Sequence, residues 1–94
     1  MLVHNIKGTS DRKPIGYKSW IDFWSSKKGY EPPFCYCMAC TEDKDLVGAH
    51  VQETGENTRD YWYIVPLCKK HNNYSNDKSF NVDKSDLVRV NYND

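Results

Sequence analysis

The stretch YWYIVPLCKKHNN, residues 61–73, decides what this chain can fold into. Its first half is aromatic and β-branched, the composition that suits a pleated, half-buried strand, and Pro66 ends that strand because it has no N–H to give to a sheet. The chemistry then changes. Cys68 and His71 are three positions apart, so a helical turn begun there puts sulfur and imidazole on one face. The start of a helix also favours the thiolate form of Cys68 through the helix dipole.

Working outward, the matching donors lie in CYCMAC, residues 35–40. Cys37 and Cys40 repeat the same two-residue gap, and 27 residues separate Cys40 from Cys68. Two pairs so spaced converge on one tetrahedral ion, and thiolates with imidazole suit Zn²⁺. The expected structural zinc shell is Cys37, Cys40, Cys68 and His71. Cys35 is the alternative to Cys37, either as a Cys-x4-Cys pair with Cys40 or as a small buried apolar residue beside the site; spacing leaves both open. Two disulfides among the four cysteines are the competing use of the sulfur.

The bulk numbers agree with a stapled small fold. Ninety-four residues, 38% hydrophobic, support a single domain over 1–94 with one modest core. The mean hydropathy of -0.84 leaves aliphatic filling scarce, although aromatic residues make up 14% of the chain and each can bury a large area. The opening MLVHNIKGTSDRK turns polar within four residues, and no run approaches the roughly 20 apolar residues a bilayer demands. The expectation is a soluble, cytoplasmic protein with no membrane partner, in a compartment where disulfides are disfavoured.

Around the cysteines the chain divides simply. Residues 1–18 mix Gly8, Pro14 and Gly16 with polar side chains and read as an irregular basic arm, in which His4 has no spacing partner. Residues 19–29 read as an amphipathic helix: Ser19 caps it, Trp20, Phe23 and Trp24 form one apolar face, Asp22 and Lys27–Lys28 match the helix dipole, and Gly29 stops it. Pro32 and Pro33 make the next stretch a connector. A short strand is expected around Leu46 to Val51, a loop over ETGENTR, a short helix from Cys68, and over 80–92 a tail or edge strand built on Leu87 to Val90. A cysteine pair, a hairpin and a second ligand pair at a helix start make an α+β treble-clef zinc domain over 35–76, with an aromatic helix on its amino-terminal side.

CMAC, GAHV at 48–51 and YIVPLCKKHN at 63–72 resemble the zinc-supported HNH endonuclease family, over roughly Cys37 to Asn73. The resemblance implies a ββα-metal fold and metal-dependent phosphodiester cleavage, with His50 matching the general base and Asn72 an oxygen ligand of a catalytic Mg²⁺ or other divalent cation. Two positions depart from the family pattern. Ala49 replaces the metal-binding Asp, and Tyr63 replaces the Asn that orients the base, so the catalytic motif is degenerate.

Net charge is zero, yet residues 1–30 carry six Lys or Arg against two acids. That basic pole suggests phosphate contacts from Arg12, Lys13, Lys27 and Lys28, joined by Lys69 and Lys70. Three functions fit this sequence: a non-cutting, HNH-like module on nucleic acid such as DNA, an active endonuclease using His50, and a zinc-stapled scaffold that docks a protein partner through its aromatics.

Overall fold

The computed structural model describes residues 1–6, 13–56 and 61–91. In chain order these form β1 (Leu2–Asn5), α1 (Trp20–Lys28), β2 (Val47–Glu53), β3 (Tyr61–Leu67), α2 (Lys69–Asn72), β4 (Ser79–Asn81), a single 3-10 turn (Lys84–Asp86) and β5 (Val88–Asn91). The strands make one antiparallel five-stranded sheet in the order β4-β1-β2-β3-β5. The result is a small α+β domain, and among the described residues no helix is long and apolar enough to cross a membrane.

The α1 helix forms where its end signals place it. Ser19 Oγ accepts from the Asp22 N–H at 3.2 Å, and Gly29 closes the helix in the left-handed conformation, φ 85°. Its aromatic face lies on the sheet, with Trp24 fully buried beside Trp62, Ile64 and Val90. The Trp24 indole N–H donates to the Asp86 carbonyl at 2.8 Å, which ties the helix to the turn before β5. The amino end of α1 comes so near β2 that a Cβ on Gly48 would sit 2.5 Å from the Trp20 carbonyl carbon and 2.6 Å from the Ile21 nitrogen. Only glycine leaves room for that approach.

Period-two alternation sends the other side chains of the sheet to the opposite face. Val3, Ala49, Val51, Val65 and Leu67 join Phe80, Val82 and Leu87 there, together with Cys35, Cys37 and Cys68. Thus α1 covers one face and the cysteine-bearing segments cover the other. Pro66 is accommodated inside β3 because β5 pairs only as far as Ile64; beyond that point the Pro66 carbonyl accepts from Tyr36 N–H at 3.0 Å.

Two expectations change here. The arm over 1–18 begins with a strand, and β1 is interior to the sheet, paired with β2 on one side and β4 on the other. Within it His4 meets Thr54 Oγ1 through Nδ1 at 3.0 Å. The tail is also more ordered than a single edge strand, since β4 at Ser79–Asn81 precedes β5 and takes the opposite edge. Within the arm, residues 7–12 lie outside the described residues.

Candidate metal centre

Two short segments build the centre. In the first, Cys35 N–H donates to the Glu42 carbonyl at 2.7 Å, which pinches residues 35–42 into a closed loop. Inside it Cys40 N–H returns to the Cys37 carbonyl at 3.0 Å, and Ala39 takes a left-handed φ of 68° to make that turn. The second segment follows β3 directly. Leu67 ends the strand, Cys68 stands at the entry to α2, and Asn72 N–H donates to the Cys68 carbonyl at 2.9 Å.

Between them Cys35, Cys40, Cys68 and His71 bring their ligand atoms within 4.8 Å of one another. His71 presents Nδ1, which lies 3.2 Å from Cys68 Sγ and 3.6 Å from Cys35 Sγ. A tetrahedral zinc with Zn–S near 2.3 Å and Zn–N near 2.0 Å has ligand–ligand edges of about 3.5 to 3.8 Å, so the spacing fits an ion at the centre of the group. The four cysteines are free thiols. Three sulfurs and one imidazole can therefore hold a metal ion, and they belong to this one centre.

The sulfur chosen differs from the one that the two-residue gap favours. Cys35 belongs to the group, and Cys37 does not. The reason is the turn: residues 37–40 spend their short spacing on reversing the chain, which carries Cys40 back toward Cys35 and leaves Cys37, 9% exposed, packed in the apolar cluster. Burial raises the Cys37 pKa, with the Cys40 and Cys68 sulfurs adding to it.

The electrostatics distinguish the thiols. Burial pushes Cys35 up to about 12 against hydrogen bonds from the Cys68 and Cys37 backbone. Burial acts the same way on Cys68, but the backbone N–H of His71, the Cys35 and Cys40 side chains and the backbone N–H of Lys70 outweigh it and bring this thiol below its ordinary value. Partial burial, then Lys70 and Lys78, lower His71 and keep its imidazole neutral, the form that ligates. A bound cation would reverse the penalty on Cys35, because ligation favours the thiolate outright.

An open cleft of about 780 Å³ runs past the group, lined by Cys40, Cys68 and His71, by Lys44, Lys69 and Lys70, and by the acidic Glu42 and Asp45 among others. Lys69 and Lys70 are exposed at its edge. Lys27 and Lys13 are exposed too, but Lys27 lies on α1, across the sheet, with its Nζ 5.6 Å from the centre of the Phe23 ring. Lys28 Nζ donates to the Ser85 carbonyl, and Arg12 lies outside the described residues. The six cations singled out for phosphate contacts do not form one surface among the described residues.

His50 and Asn72 are not brought together either. His50, 9% exposed, sits on the α1 face, its ring centre 4.4 Å from that of Trp62 and 5.2 Å from that of Trp20. Asn72 is exposed on α2, over the opposite face. Ala49 and Tyr63 point to the α2 side, against the apolar cluster.

The residue that sequence reasoning missed is Asn5. From β1 its Nδ2 donates to the carbonyls of His71, Asn72 and Tyr74 at 2.9, 3.3 and 3.0 Å. Nothing in the first six residues marks it, since its partners are more than 60 positions away.

The fold and the site together define a small α+β domain with a Cys₃His group suited to a metal ion. No protein-family model, curated protein or solved structure matches the chain.

Proposed function

We propose that this chain is a treble-clef zinc domain in which one Zn²⁺, held by Cys35, Cys40, Cys68 and His71, has a structural role. The observation that carries this reading is the convergence of four soft or borderline donors within 4.8 Å. Four protein ligands complete a tetrahedron and leave no open position, which is the signature of structural rather than catalytic zinc. The order of ligand loop, β2–β3 hairpin and ligand-bearing α2 supports the treble-clef layout. A cutting role gains no such support, because the His50 imidazole is enclosed by two indoles on the face away from Asn72.

Metal content is the direct test. Chain purified without added metal, or refolded with Zn²⁺, should carry one zinc per molecule, and a strong chelator should abolish most of its circular dichroism. A fully folded, metal-free chain with its thiols oxidised in pairs would sink the proposal.

A non-cutting nucleic-acid module is the second reading. What favours it is the grouping of Lys44, Lys69 and Lys70 at one cleft, where Glu42 and Asp45 offset part of the charge. Duplex binding that weakens steeply with salt would support it, since phosphate neutralisation releases counterions. Undetectable affinity at low salt would remove it.

A further inference from the structure

We infer that Asn5 is the positioning residue of the metal centre: its carboxamide latches the carboxyl end of the ligand-bearing turn to the middle of the sheet. The inference rests on the metal-centre reading above.

A four-residue helix has no cooperative stability of its own, and its last carbonyls have no partners within the helix. Tyr74 N–H reaches the His71 carbonyl at 3.2 Å, and Asn5 supplies the remaining bonds. Its two amide hydrogens are shared among three carbonyls of the α2 end, all between 2.9 and 3.3 Å. One of these carbonyls is that of His71 itself, so the latch acts on the backbone of the residue that presents Nδ1 to the sulfurs.

The latch is anchored well. Asn5 is 6% exposed, pairs with Val51 of β2, and belongs to a strand flanked on both sides. Ile6 N–H, next in sequence, bonds the His50 carbonyl at 3.0 Å. Pairing with β2, continued by the Ile6 bond to His50, fixes the Asn5 backbone, and its side chain transmits that fixity to His71. The donor end alone carries the role, since Asn5 Oδ1 is buried with no hydrogen-bond partner among the described residues. An acceptor in place of the amide nitrogen would face three carbonyl oxygens and repel them. This makes Asn5→Asp, which keeps shape and volume, the discriminating change.

The test compares Zn²⁺ affinity, by competition with a chromophoric chelator, and the ligand-field absorption of the Co²⁺-substituted protein. Variants are Asn5→Asp, Asn5→Leu and, as a control of equal burial on the α1 face, Val90→Ala. Groups that orient a metal ligand typically cost about 10- to 100-fold in affinity when removed. Both Asn5 variants should show a loss of that order and an altered Co²⁺ spectrum, while Val90→Ala leaves the spectrum at the wild-type form and weakens zinc only by its own loss of folding stability. If a variant folds only with metal, zinc-dependent folding followed by circular dichroism reads the same affinity.

Wild-type affinity and spectrum in Asn5→Asp or Asn5→Leu would overturn the inference and leave the metal centre intact. So would a Co²⁺ spectrum altered to the same extent by Val90→Ala. A wild-type chain that takes up no metal would overturn the metal reading, and this inference with it.

Discussion

Serine substitution at Cys35 and at Cys37 separates two thiols that the sequence cannot tell apart. Structural zinc contributes roughly 10 to 16 kcal/mol in small domains. Spread over four ligands, one thiolate is worth about 3 to 4 kcal/mol, and at about 1.4 kcal/mol per decade its loss weakens the metal by two to three orders of magnitude. Cys35 is fully buried, so Cys35→Ser also leaves a hydroxyl in a dry site, at a further cost of about 1 to 3 kcal/mol. The sum, about 4 to 7 kcal/mol, is comparable to the whole stability of a small domain. Cys37→Ser incurs only the second cost, because Cys37 lies outside the ligand group. Zinc stoichiometry and a chelator titration on both variants are the assay. Cys35→Ser should lose the metal and most of its structure at ambient temperature; Cys37→Ser should keep one tight zinc and melt lower. The reverse order would refute the geometry on which the centre rests.

Three further outcomes follow from the packing. Gly48→Ala must push Trp20 and Ile21 away from β2, and overpacking of about 1 to 3 kcal/mol in a chain of this size lowers the melting temperature on the order of 10 °C; an unchanged melt would mean that α1 does not sit against Gly48. Asp86 has its pKa raised by burial and then by Asp83, with Lys28 opposing, so the folded state holds the proton more tightly than the unfolded chain. The stabilisation by that proton is present below the unfolded carboxylate range and is lost as pH rises through the folded value, leaving the ionised group a liability at neutrality. Asp86→Asn should therefore melt higher than the wild type at pH 7, with the gap narrowing as pH falls toward the carboxylate range; a lower melt at pH 7 would contradict this. Plasmid nicking with Mg²⁺, Mn²⁺ or Ni²⁺ should be no greater for the wild type than for His50→Ala, and cleavage that the substitution abolishes would restore a catalytic role to His50.

What was legible in the sequence is what local chemistry determines. Ser19, Asp22 and Gly29 announce α1 because caps act over three or four residues, and the β-branched run before Pro66 announces β3 for a similar reason. Cys68 and His71 are legible as a pair because a helical turn fixes their geometry. The Cys35 or Cys37 choice is not, since it depends on a turn with Ala39 at a positive φ, which spacing alone does not encode. β1 was hidden for another reason: four residues carry no periodicity to speak of, and their partners, Val51 to Glu53 and Ser79 to Asn81, lie far along the chain. The Asn5 latch was invisible with it. His50 illustrates the limit of motif reading, as the GAHV string places it on a strand but the packing of Trp20 and Trp62 decides its surroundings.

The interior place of β1 bears on how the chain comes together during synthesis. β1 is made before either of its neighbours, and the two emerge far apart, since Val3 aligns with Glu53 on one side and with Phe80 on the other. One side of it can therefore zip as soon as β2 has emerged, whereas the other stays open until β4 is made, after all the ion-binding residues, which span 37 positions from Cys35 to His71. Both edges of the sheet, β4 on β1 and β5 on β3, are accordingly laid down last, on a centre of β1, β2 and β3 already made.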